Sequence, residues 1–573
     1  MAFFKSKILL YRFLYMDRRS LIFIFSLTIT LMFVNMYFSN QRQAQLPIAV
    51  PAPVVERVVE REPTDIIPVR DETFYVLESD YQQLVFSDRG GALVEINLPF
   101  EGEDNDKSVV KEIEYDRILA ETDNGRFPLR DYFTAGSNPR GSYVKHDGRD
   151  TGGYYPLLRR PLYDDGILSE ESPEYYCCNI VSDYPEMAML PYKVKHFDGN
   201  SIVFEGAQSH RRITKTFTLS KEAPYCVDVT IDVEGSSRGL WVTSGVPEAE
   251  LISGRGAPLM KYRITRGGKA EVDKVSLPKE EATVSSIRPD WLCTSNGFFG
   301  MILDPLTEVG GGYKARRVDS VVLPTRLTAI EKEYNTFKHK DFPGYTMLMP
   351  LPAGNDTTTT LRLFAGPLSD DILKGLDAAL VDDATGYSPG YIGCKSFHGW
   401  FSFISAPFSK LLLVIMNIFH TITGSWGFSI ILLTVVLRLL LYPLNSWSMK
   451  SMHRMKEIGP LVADLQERYK KDPKKVQIET MKLYKKKKVN PVSGCVPLLI
   501  QMPFLIGMFD LLKSAFVLRG APFIPGWIDN LTSPDVLFSW ETPIFFFGTS
   551  FHLLPVLLGV TMYLQQKFMS TAP

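Results

Sequence analysis

Four apolar runs constrain this chain more than anything else in its 573 residues: 21–39, 426–444, 492–512 and 543–564. Each approaches the ~20 residues that a helix needs to cross the hydrocarbon of a bilayer. A net charge of −1 and a mean hydropathy near zero would suit a soluble protein, but these averages conceal the separation of the apolar runs from a long polar middle. The length also exceeds what one ordinary core organises, so two or more structural units are expected.

Charge orients the runs. Lys5, Lys7, Arg12, Arg18 and Arg19 precede the anchor 21–39, which puts residues 1–20 in the cytoplasm and the following region outside it. A cleaved signal peptide is the rival reading. Its apolar region would be shorter and end in small residues, and Asn35-Met36-Tyr37-Phe38-Ser39-Asn40 offers no such site. Residues 40–71 carry Pro47, Pro51, Pro53, Pro63 and Pro68 among valines and charges, as an extended linker does.

From 72 to 390, short alternating segments broken by turn residues predict a large exported antiparallel β-sandwich. Residues 83–86, 202–204, 214–219 and 226–233 are strand candidates, with turns at Asp88-Arg89-Gly90-Gly91 and Asp198-Gly199-Asn200. Cys177, Cys178, Cys226, Cys293 and Cys394 fall here or just after; an odd number leaves at least one unpaired and defines no disulfide framework. Cys495, in a later span, reads as a small buried hydrophobe. Asp370 or Asp371 can cap a helix carrying Ile372, Leu373, Leu376 and Leu380. Residues 391–424 mix aromatics, Pro407 and Lys410 with leucines, which predicts a helix lying in the membrane interface; a further full span is the alternative.

Residues 425–573 predict a polytopic α-helical membrane core. Its loop 445–490, with Lys450, Arg454, Lys456, Arg468, Lys470 and Lys471 among many bases, is cytoplasmic, whereas 514–540, with Arg519 against Asp529 and Asp535, is external. Asp472-Pro473 reads as N-cap and first helical residue, dividing the basic loop into a hairpin of helices over 447–471 and 473–488. Met449, Met452 and Met455 recur every three residues. Ordinary hairpin packing explains that spacing best, and an adaptable surface for hydrophobic partners is the second reading. Lys485, Lys486, Lys487 and Lys488 serve first as an orientation signal, and second as a contact for anionic lipid headgroups or ribosomal RNA.

Arg438 is the costly residue. A charge inside an apolar span needs a polar cavity, a partner or a route to the surface. Thr434 and Tyr442 flank it at i−4 and i+4 on one helix face. Gln501, roughly 13 Å along the next span from its cytoplasmic start, lies at a similar depth. Asp510 is roughly 13 Å further out and pairs more naturally with Lys513 at i+3. The expectation is a wetted concavity around Arg438, Thr434, Gln501 and Tyr442 that accepts polar or negative guests.

At Trp426-Gly427-Phe428-Ser429-Ile430 through Arg438 to Tyr442-Pro443-Leu444, and at Asn490-Pro491 through Gly494-Cys495 to Gln501-Met502-Pro503, the chain resembles the bacterial branch of the YidC/Oxa1/Alb3 membrane insertases. Arg519-Gly520-Ala521-Pro522-Phe523 and Gly559-Val560-Thr561-Met562 extend the likeness, which covers about 400–569. The resemblance implies a β-supersandwich-like exported domain and a positively charged groove, with Arg438 as groove arginine and Thr434 one turn before it. It implies insertion of nascent membrane proteins into the bacterial inner membrane, alone or with the Sec translocon and ribosome. It implies contact with membrane lipids but not DNA, and no cofactor, metal or catalytic residue. It also implies two further membrane helices, one bearing a groove tyrosine, beyond the Thr561-Met562 span; this chain stops at Pro573. The alternatives are an exported carbohydrate-binding or sugar-modifying domain on an anchor, and an inactive truncated insertase. Scattered histidines and the lack of P-loop, G-x-S-x-G or H-E-x-x-H sequences argue against an enzyme.

Overall fold

The computed structural model describes residues 72–571, except 104, 137–140, 146–150, 165, 171, 222, 253–254, 331–336, 382–385, 396–401, 471, 488–495, 525, 532–533 and 545–547. The anchor 21–39, most of the linker and Cys495 lie outside the described residues.

Alternating sequence becomes sheet where it was expected. Strands Tyr192–Phe197, Ser201–Gln208, Arg211–Leu219, Cys226–Ser236, Asn355–Pro367, Phe299–Pro305, Trp291–Ser295, Leu259–Arg266 and Lys269–Val275 follow one another across a nine-stranded antiparallel sheet. A six-stranded sheet contains Phe74–Glu78, Gln83–Ser87 and Ala92–Pro99, and a five-stranded sheet contains Tyr313–Val318 and Gly344–Pro350. One pairing departs from the antiparallel expectation: Phe74–Glu78 runs parallel to Tyr132–Thr134, because the helical segment between them returns the chain in the same direction. Every second residue of the central strands, such as Ile202, Phe204, Ile213, Phe217, Val229 and Ile231, enters a shared core with Leu84 and Phe86. The predicted turns hold: Asp198 Oδ1 accepts from the amides of Asn200 (2.8 Å) and Ser201 (2.7 Å), and Gly90 and Gly91 take φ of 76° and 52°.

Lys215 occupies a core position in this pattern. Its Nζ donates to the carbonyls of Gly90 (2.7 Å) and Cys178 (3.0 Å), and burial pushes its pKa down to about 7. Cys177, Cys178, Cys226, Cys293 and Cys394 are all buried free thiols.

Seven helices are named here in chain order: α1 (Glu114–Ala120), α2 (Asp370–Ala379), α3 (Ser402–Thr423), α4 (Trp426–Arg468), α5 (Pro473–Lys486), α6 (Val496–Ser514) and α7 (Leu553–Thr571). Three differ from expectation. Ser369, with extended backbone, is the N-cap of α2, which leaves Asp370 and Asp371 in the first turn, where the helix dipole favours them. The first arm of the basic hairpin does not start afresh near 447, since α4 runs unbroken for 43 residues through Pro443 and Pro460. The apolar run at 543 begins as a β-hairpin, Phe538–Ile544 with Gly548–Phe551, and turns helical only at Leu553, whose neighbour Leu554 donates its amide to Asp535 Oδ2 (2.8 Å). The cap of α5 is as predicted, with Asp472 accepting from the Lys475 amide at 3.1 Å.

Among the described residues, one helical stretch is long and apolar enough to cross a membrane: Trp426–Leu444, with mean hydropathy 2.1. Pro407–Thr423 of α3 is apolar but shorter.

Candidate functional site

Helix α3 packs against both α4 and α6, and Leu412, Leu413, Met416, Leu433, Leu511 and Leu518 form their common core. Small residues allow the approach. Ser409 Oγ donates to the Gly507 carbonyl across α3 and α6 at 2.7 Å, and a Cβ on Gly427 would stand 2.4 Å from the Phe523 ring. His420 stacks on Trp426 at 3.9 Å, closing the α3–α4 turn.

This packing covers the face of α4 that bears Ile430, Leu433 and Leu437, and leaves Phe428, Ile431, Val435 and Leu439 exposed. Arg438 and Tyr442 are exposed with them, and Thr434 is half-buried. Arg438 makes no hydrogen bond or ion pair with a described residue. The Thr434 hydroxyl donates to the Ile431 carbonyl (2.7 Å) on its own helix rather than turning to Arg438. Gln501 is half-buried on α6. Asp510 pairs with Lys513 at 3.1 Å, as its i+3 spacing predicted. Thr434, Arg438 and Tyr442 thus share one side of α4, while Gln501 stands on a separate helix. Of the methionine stripe, Met455 is half-buried, and the side chains of Met449 and Met452 lie outside the described residues. Lys474, Lys475, Lys485, Lys486 and Lys487 are exposed on or beside α5.

A second constellation escaped the sequence. Arg519, expected as an external loop charge against Asp529 and Asp535, is only 2% exposed. Its Nε donates to Glu250 Oε2 (3.0 Å), its Nη2 to Glu250 Oε1 (3.2 Å) and Asp116 Oδ2 (3.4 Å), and its Nη1 to the Lys111 carbonyl (2.7 Å). Arg326 binds the same carboxylates, Asp116 directly and Glu250 at 2.7 Å. Both guanidiniums lie over the Tyr155 ring, 4.6 Å and 5.1 Å from its centre. Burial opposes the charge of Arg519, but Glu250 and then Asp116 outweigh it and hold its pKa above the ordinary value. Asp116 also accepts from the Ile113 amide (3.0 Å), so a carboxylate in the first turn of α1 both caps that helix and anchors the two arginines. A cavity of about 230 Å³ beside the cluster is lined by Glu250 and by Glu248, whose carboxylate accepts from the Arg326 amide at 3.2 Å. The one signal in the sequence was Arg519-Gly520: Gly520 has φ of 67°, and a Cβ there would meet Lys111 Cβ at 2.8 Å.

A family described as "60Kd inner membrane protein" matches residues 418–573. The chain is similar to the membrane protein insertase YidC of Chlamydia caviae, 47% identical over 501 residues, which cover 86% of this chain and 62% of that protein. The chain therefore spans about three fifths of the length of that relative. A solved active YidC insertase with its first transmembrane domain resolved is 18% identical, covering 78% of this chain and 73% of that one at a TM-score of 0.24. A GalM/aldose epimerase homologue from C. elegans is 8% identical, covering 52% of this chain and 99% of that one at a TM-score of 0.26.

Proposed function

We propose, for a chain that belongs to the YidC family of membrane protein insertases, that the uncovered side of α4 around Arg438 receives polar stretches of nascent membrane proteins and passes their apolar segments to lipid. The observation that carries this is Arg438, exposed and without a partner among the described residues, within the apolar stretch Trp426–Leu444. A guanidinium there is costly unless something polar reaches it. Its planar fork suits carboxylates and carbonyl oxygens of a passing polypeptide, and the low dielectric strengthens each such bond. Tyr442, Thr434 and Gln501 supply further polar contacts at neighbouring depth. The exposed lysines of α5 and the Met455 stripe face cytoplasmic partners, which are the ribosome and lipid headgroups in this reading.

The protein then resides in the bacterial inner membrane as a multi-pass chain, with its N-terminus in the cytoplasm and the β-domain in the periplasm. It works alone or beside the Sec translocase, as a chaperone and not as an enzyme, without nucleotide or cofactor. The test is insertion of a short single-span substrate into proteoliposomes by the full-length protein, read by protease protection. Arg438→Ala is expected to lower insertion at least tenfold, and Arg438→Lys to retain part of it. Unchanged insertion with Arg438→Ala overturns the reading.

A further inference from the structure

We propose that Arg519 is the positioning residue of a rigid joint that fixes the β-domain to the end of α6, so that the two move as one body. The joint is independent of what Arg438 binds.

Its parts come from distant stretches of chain: Lys111 and Asp116 at the start of α1, Glu250, Arg326, and Arg519 after α6. Nothing slack lies between Arg519 and the helix. The amide of Ala515 bonds to the Leu511 carbonyl (2.9 Å), that of Leu518 to Ala515 (3.0 Å) and that of Arg519 to Phe516 (3.0 Å), which continues the hydrogen-bonded path of α6 to the guanidinium. The same short segment belongs to two cores. Phe516 meets Phe299 edge to face at 5.5 Å inside the β-domain core, whereas Leu518 belongs to the α3–α4–α6 core.

Chemistry makes the joint stiff. Arg519 donates to both oxygens of Glu250, one oxygen of Asp116 and one carbonyl, each in a fixed direction and away from water. Charges in such a site cannot be drawn partly apart without exposing a bare ion to a poorly polarisable surround. Arg326 already serves the same two carboxylates, so it cannot also take up what Arg519 releases. A rocking β-domain would have to break the cluster as a unit. At Gly520 the close approach to Lys111 leaves no room to slide.

The test uses the full-length protein in nanodiscs, spin-labelled at exposed positions Val321→Cys on the β-domain and Phe509→Cys on α6. Cys495 is replaced by serine throughout, and the five buried native thiols are expected to stay unlabelled. A control pair, Ile167→Cys with Val321→Cys, reports the β-domain alone. The unsubstituted Arg519 should give one narrow distance distribution across the joint. Arg519→Met should broaden it by about a factor of two or more while the control pair stays narrow, and Arg519→Lys should restore most of the narrowness. A narrow distribution with Arg519→Met overturns the proposal. So does broadening of the control pair, which would make Arg519 a folding residue of the β-domain and not a joint.

Discussion

Arg438 and Arg519 carry the same charge into opposite surroundings. Arg438 is exposed on a bare helix face with no described partner, and Arg519 is enclosed by two carboxylates and a second arginine. Removing a buried partner costs more than removing an exposed one, because the remaining charges stay behind without compensation. Arg519→Ala is expected to destabilise the joint by ~3–5 kcal/mol, measured as earlier loss of amide-exchange protection at 111–120. Arg438→Ala should leave that protection unchanged. Asp304 supplies a pH test at the same scale. Burial raises its pKa to about 6, against Tyr391, Arg362 and Tyr387, which lower it. The unfolded value is about 4, so between those pH values the folded state holds the extra proton. Stability from this group is therefore full below about pH 4, falls as pH rises through 6, and is level above. Asp304→Asn should flatten that slope and stabilise the protein at pH 7 by about 1–2 kcal/mol. Urea unfolding of the β-domain in detergent-solubilised protein, followed from pH 4.5 to 7.5, checks it; parallel slopes for both proteins would contradict it.

Among the elements, the strands were legible because period-two burial is written directly into segments such as 202–204 and 214–219. The hairpin at 538–551 was not, because a run rich in phenylalanine suits strand and helix alike, and Asp535 decides the start of α7 from outside it. The length of α4 was hidden for a related reason: no stop signal other than proline separates the span from the basic arm, and Pro443 does not end the helix. Capping makes these boundaries testable. Asp535→Ala and Asp472→Ala should each weaken the first turn of their helix by about 1 kcal/mol, seen as faster amide exchange at Leu554 and Lys475 respectively.

For the whole molecule, the sequence revealed a helical core and a β-domain but not what joins them. Arg519 lies 269 residues from Glu250 and 403 from Asp116, separations that no local pattern reports. The apolar span and its arginine were legible because both are local; the face Arg438 occupies was fixed only by what covers the other side of α4. Removing the β-domain would therefore uncover the Phe516 ring and the Arg519 charge. Deleting residues 72–367 should lower the amount of protein in the membrane fraction, and replacing Phe516 and Arg519 by serine in the deleted form should recover part of it, because the uncovered ring and charge then disappear.

The central claim is that polypeptide passes along the open side of α4. It is tested most directly by placing a photo-crosslinking residue at single positions of α4 in the full-length protein and trapping a ribosome-bound substrate. The account predicts crosslinks from Thr434, Arg438 and Tyr442, strongest when an acidic stretch of the substrate has just left the ribosome, and none from Leu433 or Leu437 on the covered side. Equal crosslinking from both sides, or none from Arg438, would contradict it.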